Sequence, residues 1–250
     1  GFGVYTKLNV ENYGGMIYDS WFDRPLSVAG RVIVREENRP RAVPVVVDRD
    51  LVLIPHVAIH QMRNINSGVT YNPATDLCPL FGEKDAKLTP YLAQAAGVAE
   101  EGIVATDLYL YNRVPGTIWG DGDAFFSSAR IDNLQCAYAT LRGFLAGADT
   151  TADRGIAVYS SFDNEETGSA TRQGAGSPFL QDTLQAICDA LGLRLPTMLA
   201  SSFMVSADNG HARHPNHPEM SDGANCPNLN GGIVIKANAA QKYTTDGVSA

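Results

Sequence analysis

Four acidic residues stand at positions from which they could form one site. Asp132 opens a predicted helix, and Glu165 with Glu166 directly follows a predicted strand. Asp208 follows another predicted strand. In an open α/β sheet, groups at the carboxyl ends of the strands converge on one crevice. Carboxylates gathered there would repel one another unless a cation lay between them, and a pair of divalent metal ions bridged by one carboxylate meets that need.

Each acidic residue also has an ordinary structural explanation. Asp132 fits the N-cap of the helix that follows it, because Asp accepts hydrogen bonds from the free N–H groups of a first turn. The Glu165–Glu166 pair is typical of a solvated surface, and Asp208 fits a turn before Gly210. Their appearance in order along successive predicted elements favours a shared site over separate explanations.

The histidines add candidate ligands and substrate contacts. His211 lies three residues after Asp208, a spacing that brings both side chains to one pocket. His56 and His60 are four residues apart and would share a face of a helix. No HExxH motif accompanies that pair, so the residues alone favour a packing or surface position for both.

The elements that must position these residues begin with a run of predicted strands. Apolar, β-branched and alternating segments there are bounded by charged residues, Gly or Pro. The predicted strands are residues 3–10, 16–22, 27–35, 41–47, 51–54 and 105–111, with a short helix at residues 91–96 that ends at Gly97. This organisation predicts a β-rich unit over residues 1–112.

Beyond Pro115, predicted strands and helices alternate. The helices are residues 134–146 and 179–191, the strands are residues 156–162, 197–207 and 232–238, and residues 213–230 form a long loop. Ser177 and Pro178 give a start signal for the second helix, and Gly192 gives its stop. The alternation predicts an α/β unit over residues 113–250, with a mainly parallel sheet covered by helices on both faces.

The charge balance argues against two classes of partner. The 250 residues carry 19 Lys and Arg against 27 Asp and Glu, which gives a net charge of -8. A chain of this charge is not expected to bind nucleic acid or an anionic membrane surface. Its apolar runs are also shorter than the ~20 residues that a membrane-spanning helix needs.

The four cysteines indicate a reducing environment. They are scattered and form no CxxC pair: Cys78, Cys136, Cys188 and Cys226. Neither a thiolate zinc site nor a disulfide framework is predicted from this spacing. The cytoplasm is therefore the predicted location.

Several motifs spread along the chain are distinctive in combination. The first are YGGMIYDSWFDRPLSVAGRV at residues 13–32, IPHVAIH at residues 54–60 and RNIN at residues 63–66. The others are ARIDNL at residues 129–134, DNEETGS at residues 163–169, SADNGHA with HPN at residues 206–216, and GIVIKAN at residues 232–238. Together they resemble the aspartyl aminopeptidase family of co-catalytic dizinc metalloaminopeptidases, although each alone is weak.

This resemblance implies a fold and a dimetal site. Residues 113–250 would be part of a mainly parallel-sheet α/β metallopeptidase domain of the phosphorylase/hydrolase-like kind, and residues 1–112 an inserted β-rich dimerisation domain that gates substrate access. Asp132 matches the carboxylate that bridges two zinc ions, with Mn or Co as alternative metals. Glu166 and Asp208 match ligands of one ion each. Glu165 matches the general base that activates the metal-bound water.

The resemblance also implies a substrate and an assembly. His211 and Lys236 match substrate-contacting positions, and His60 matches a histidine that one subunit lends to the active site of its neighbour. The protein would be a homo-oligomer of dimers that closes into a tetrahedral dodecamer. Its substrates would be peptides with an acidic N-terminal residue.

Two departures from the family pattern bear on activity. The family has one metal-binding His in an upstream HTDSP motif and another in a C-terminal segment, and this sequence contains neither. We therefore expect an interior portion of a longer enzyme, with weak metal binding and little turnover by itself. Two other functions stay open: a non-catalytic assembly module or pseudoenzyme, and another amide hydrolase of the same fold.

Overall fold

The computed structural model describes residues 3–37, 39–147, 155–166 and 168–237, together with Thr245. Contacts between residues divide the chain into two units. The first unit comprises Gly1–Ala129 and Phe162–Leu195, and the second comprises Arg130–Ser161 and Pro196–Ala250. The predicted domain boundary after residue 112 stays a prediction.

The described ranges contain both helices and small sheets. The strands are β1 (Tyr5–Lys7), β2 (Leu26–Val34), β3 (Arg41–Val46), β4 (Leu80–Glu83), β5 (Ile103–Asn112), β6 (Thr117–Trp119) and β7 (Phe125–Ser127). The helices are α1 (Pro73–Asp76), α2 (Thr89–Ala96), α3 (Ile131–Gly147), α4 (Phe179–Leu191) and α5 (Leu195–Ala200). The strands pair as β3–β2–β5, β1–β4 and β6–β7. The class is therefore α/β, as predicted.

Strand β2 lies in the middle of the largest sheet, between β3 and β5. It is rich in β-branched residues, which suit a pleated and partly buried surface. Val28 and Val32 are no more than 2% exposed, and they pack in one cluster with Leu92 of α2. Helix α2 ends at Gly97, whose φ of 65° is the left-handed conformation that glycine adopts at helix ends.

A second buried cluster lies at the start of β2. Its buried members are Phe22, Leu26, Val52, Ile54 and Leu77. The backbone of Leu26 donates a hydrogen bond to the Val52 carbonyl at 2.8 Å. This cluster joins the residues before β2 to the segment that leads toward α1.

The second unit contains helix α3. Near its start, Asp132 and Asn133 depart from helical backbone angles, and the regular helix follows them. The Tyr159 hydroxyl donates a hydrogen bond to the Ala137 carbonyl at 2.9 Å. The Tyr159 ring also lies 6.0 Å from the ring of Phe144. These contacts hold the segment around Tyr159 against α3.

The structure confirms the predicted elements that had the clearest periodicity. The predicted strands at residues 27–35, 41–47 and 105–111 are β2, β3 and β5. The predicted helices at residues 91–96, 134–146 and 179–191 are α2, α3 and α4. The loop at residues 213–230 is also confirmed, apart from a 3-10 turn at Pro218–Met220.

Other predicted strands are wrong. Residues 16–22 contain a 3-10 turn at Tyr18–Trp21, residues 51–54 form isolated bridges, and the strand predicted at residues 3–10 is reduced to β1. Residues 156–162, 197–207 and 232–237 contain no strand, and Asn238 lies outside the described residues. A Pro in the first turn favours helix, which explains why Pro196 lies in α5.

The predicted parallel sheet is not found among the described residues, where every strand pair is antiparallel. Apolar composition predicted strands at residues 197–207 and 232–238, but a strand also needs a neighbour to bond its backbone N–H and C=O groups. Val205 and Ile233 are 75% and 99% exposed in the structure.

No helix in the described part of the chain is long and apolar enough to cross a bilayer.

Strand β2 allows a direct test of the core. Val32→Ala should lower the free energy of unfolding by roughly 2 to 3 kcal/mol, because it removes two methyl groups from a fully buried site. Val46→Ala is the matched control on β3, where the side chain is 57% exposed, and its cost should stay below about 1 kcal/mol. Urea denaturation measures both. Equal losses would contradict the placement of the core.

Candidate active site

Two hydrogen bonds join the start of α3 to the segment that carries Asp208. The Asn133 side-chain amide donates to the Ala207 carbonyl at 3.4 Å. The Asn209 side-chain amide donates to Gln135 Oε1 at 3.0 Å. Asn133, Ala207 and Asn209 are immediate sequence neighbours of the predicted metal ligands Asp132 and Asp208, and Gln135 lies three residues after Asp132. These bonds therefore hold the two ligand-bearing segments of the second unit side by side.

The electrostatics at Cys136 reflect the same arrangement. Burial raises the pKa of the Cys136 thiol, and the carboxylates of Asp208 and Asp132 raise it further. A negative charge raises the pKa of a thiol because it disfavours the thiolate. The carboxylates of Asp132 and Asp208 therefore both act on the Cys136 thiol.

Glu165 and Glu166 lie in a tight turn of the first unit. The Asp163 amide donates to the Gln173 carbonyl at 3.0 Å, which closes the base of the turn. Asn164 has a φ of 60° and reverses the chain just before the two glutamates. Both glutamate side chains are exposed. The turn thus presents the predicted base and the predicted ligand as neighbours.

Gly14 lies directly against Glu166. A Cβ built on Gly14 would come within 2.5 Å of Glu166 Oε2 and 2.6 Å of Glu166 Cβ. Gly14 also has a φ of 66°, a conformation that residues with side chains adopt only with strain. A glycine at position 14 therefore determines how closely the Glu166 side chain approaches the backbone.

The acidic turn also lies near β5. Burial raises the pKa of the Tyr109 hydroxyl, and the carboxylates of Asp107 and Asp163 raise it further. The Tyr109 ring packs edge-to-face with Tyr13, with ring centroids 6.0 Å apart. Residues 13 and 14 and β5 together support the turn that carries the glutamates.

The predicted substrate contacts are all exposed. His60 lies on a turn in which the Gln61 amide donates to the Ala58 carbonyl at 2.8 Å. His211 follows the Asp208 segment, and Lys236 lies in an irregular segment rather than on the predicted strand. His60 belongs to the first unit, and the other two belong to the second.

The structure brings the predicted site residues together in two pairs. Asp132 and Asp208 share an environment in the second unit, and Glu165 and Glu166 share a turn in the first. Over the ranges that the structure describes, no group of three or more His, Cys, Asp or Glu side chains is arranged to hold a metal ion.

Three residues that contact the segments carrying the predicted site were not among the predicted site residues: Gly14, Asn133 and Asn209. The Tyr13-Gly14-Gly15 run could have indicated Gly14, because glycine permits the close approach of a neighbouring side chain. No sequence pattern indicated Asn133 or Asn209, because the sequence does not show whether an asparagine side chain faces solvent or hydrogen-bonds another segment.

Residues 3–250 match the protein family described as Aminopeptidase I zinc metalloprotease (M18). The chain belongs to the M18 family. The match includes every motif on which the resemblance to aspartyl aminopeptidases rested, so that resemblance is confirmed.

Curated M18 relatives are similar along nearly the whole chain. A probable M18 family aminopeptidase 2 of Clostridium acetobutylicum is 42% identical over an alignment of 253 positions. The alignment covers 97% of this chain and 58% of the relative. Aspartyl aminopeptidase 1 of Schizosaccharomyces pombe is 38% identical over an alignment of 271 positions. The alignment covers 97% of this chain and 57% of the relative. The chain thus spans somewhat more than half the length of these M18 relatives.

Solved M18 structures share the fold. A chain in the cryo-EM structure of the Ape4 and Nbr1 complex is 35% identical, with a TM-score of 0.90 over 99% of this chain and 52% of that chain. The S. cerevisiae mApe1 dodecamer is 26% identical, with a TM-score of 0.77 over 98% of this chain and 57% of that chain. The described chain therefore has the backbone fold of the matching part of these M18 proteins.

The donors present agree with the zinc named in the family description. Carboxylate oxygens are ordinary zinc ligands, and the Asp132 and Asp208 carboxylates both act on the Cys136 thiol. The type of donor fits zinc, although a full ligand set is not assembled among the described residues.

The contact at Gly14 generates a prediction about the Glu166 turn. Gly14→Ala should increase amide hydrogen exchange in residues 163–174 by about tenfold, because the new methyl group displaces Glu166 and strains the backbone. Gly15→Ala is the matched control, since a Cβ there meets nothing within 4 Å. Gly3→Ala controls for backbone strain, because Gly3 has a φ of 68° and open space around it. Equal exchange in all three variants would refute the contact.

Proposed function

We propose that this protein acts as a zinc-dependent aminopeptidase that removes an acidic N-terminal residue from peptides. The observation that carries the proposal is the two hydrogen bonds between the start of α3 and the Asp208 segment, because they join two motifs that are far apart in the sequence. Membership of the M18 family supports the same reaction. The name of the S. pombe relative, an aspartyl aminopeptidase, supports the acidic preference.

The proposed metal ligands are three carboxylates. Asp132 would be the ligand shared by two divalent ions, Glu166 would hold one of them, and Asp208 would hold the other. Zinc is the proposed metal, with Mn or Co as alternatives, because oxygen ligands accept all three. The contact between Gly14 and Glu166 supports this assignment, since it limits where the Glu166 carboxylate can lie.

Glu165 is the proposed general base. When bound, the metal ions supply Lewis-acid chemistry, which polarises the scissile carbonyl and acidifies the attacking water. The Glu165 carboxylate accepts the proton from that water and returns it to the leaving amine. Its place beside Glu166, in a turn closed by Asp163 and Gln173, supports this function because base and ligand then move together.

His211, Lys236 and His60 are the proposed substrate contacts. The Lys236 ammonium attracts an acidic side chain at the N-terminal residue of the substrate. His211 lies three residues after the proposed ligand Asp208, within reach of the same peptide. His60 acts in the site of a neighbouring subunit, and its exposed position on a turn leaves it accessible to such a partner.

The last proposal concerns the assembly and its setting. The chain contributes an inserted β-rich dimerisation domain and part of a mainly parallel-sheet metallopeptidase domain to a homo-oligomer of dimers. A tetrahedral dodecamer is the proposed end state, supported by the dodecamer of the related mApe1. The cytoplasm is the proposed compartment, because all four cysteines are free thiols.

The test uses the full-length protein loaded with zinc, together with chromogenic substrates. Asp- and Glu-p-nitroanilide should be cleaved faster than the Leu compound, and N-acetyl-Asp-p-nitroanilide should resist cleavage. Cleavage of the blocked compound would favour another amide hydrolase, and no cleavage of any compound would favour a non-catalytic module.

Glu165→Gln should lower kcat by about 10²- to 10⁴-fold, the range that a general base supplies, while zinc content stays unchanged. The amide keeps the shape of the side chain but cannot accept the proton. Glu101→Gln, a change at another exposed glutamate of the first unit, is the control and should leave kcat unchanged. Full activity in Glu165→Gln would refute the assignment of the base.

A further inference from the structure

Residues 55–72, here called the His60 loop, leave the core and return to it at neighbouring points. Ile54, just before the loop, is 2% exposed. The return is fixed by α1, where the Asn72 side chain accepts a hydrogen bond from the Ala74 amide at 3.1 Å. The Asn72 amide in turn donates to Asp76 Oδ2 at 2.7 Å. Both ends of the loop are therefore anchored in the first unit.

The tip of the loop is exposed. Val57 and Ile59 are 43% and 48% exposed, and His60 beside them is exposed as well. The turns of the tip are closed by local bonds, such as that from the Ser67 amide to the Asn64 carbonyl at 2.8 Å. Local bonds fix the shape of the tip, but its orientation depends on what holds the two ends of the loop.

His56 holds the first end. Its amide donates to Asp23 Oδ1 at 2.9 Å. Its ring lies against Phe22, with ring centroids 4.5 Å apart. Phe22 is 8% exposed and belongs to the second buried cluster. His56 is therefore fixed by a backbone bond and by a ring that is itself part of the core.

Tyr71 holds the second end against the same ring. The Tyr71 and Phe22 centroids are 5.1 Å apart, and the Tyr71 hydroxyl donates to Asp19 Oδ1 at 2.5 Å. The hydroxyl also lies 3.4 Å from His56 Nε2. The hydrogen bond to Asp19 raises the pKa of the Tyr71 hydroxyl above its ordinary value, so the hydroxyl keeps its proton and stays a donor. Both ends of the loop thus meet on Phe22 and Asp19.

We propose that Asp19, His56 and Tyr71 form a clamp that fixes the orientation of the His60 loop and thereby positions His60 for substrate. This inference rests on the proposed function of His60. The three residues are positioning residues, since they lie at the base of the loop and act through His60 at its tip. The clamp joins the two ends of the loop through the contact between Tyr71 and His56, so a change there alters how the tip is held.

Tyr71→Phe is the direct test, because it removes the hydroxyl and keeps the ring on Phe22. Hydrogen exchange of residues 55–72 should become about five- to tenfold faster, as expected for loss of one hydrogen bond to a partly exposed carboxylate. Tyr18→Phe is the matched control. The Tyr18 ring packs edge-to-face on Tyr71 at 6.3 Å, but its hydroxyl has no bond to Asp19 or His56 in the structure. Exchange in Tyr18→Phe should stay unchanged.

A double-mutant cycle then separates positioning from simple stability. Tyr71→Phe should lower kcat/KM about fivefold in a protein with His60, and by less than about twofold in the His60→Ala background, since coupled residues are not additive. An equal loss in both backgrounds would overturn the proposal, as would unchanged exchange in Tyr71→Phe. If His60→Ala alone left kcat/KM unchanged, the positioning claim would also fall.

Two different measurements test the proposed function and the clamp. Absence of hydrolysis by the unaltered, full-length, zinc-loaded protein would refute the aminopeptidase proposal. Hydrogen exchange of the loop needs no substrate, so it would still decide whether the clamp exists.

Discussion

The pairing of β2 with strands on both sides is the constraint on which the described first unit depends. Val28 and Val32 of β2 lie in one buried cluster, and Leu26 at its start lies in the other. The second cluster contains Phe22, on which both ends of the His60 loop rest. Strand β2 therefore links a hydrophobic core to a loop with a proposed function. Loss of its pairing would release both clusters at once.

The parts of the fold that the sequence predicted well are those in which a segment carries its own signal. Gly97 and Gly192 end helices in the left-handed conformation, and the periodicity before them defines α2 and α4. The β-branched run of β2 likewise requires burial. Residues 203–205 and 233–235 have the composition of buried strands but form none, because strand formation depends on a neighbour that composition does not specify.

In the candidate site, the sequence likewise predicted some residues, while the contacts around them are visible only in the structure. Carboxylate chemistry and the motifs predicted Asp132, Glu166 and Asp208 as ligands, and this assignment stays a prediction. The contacts that support them, at Gly14 and at the two asparagines beside α3, depend on the folded chain. The carboxylates are exposed in the structure. Mutual repulsion opposes their close approach, and bound cations would remove that repulsion, so metal binding and assembly of the site are coupled in this account.

Zinc-edge anomalous diffraction from the full-length, zinc-loaded protein tests the proposed ligand assignment. We predict two zinc ions per chain, with carboxylate oxygens of Asp132, Glu166 and Asp208 among their ligands. A single zinc ion, or zinc bound only at other residues, would contradict it.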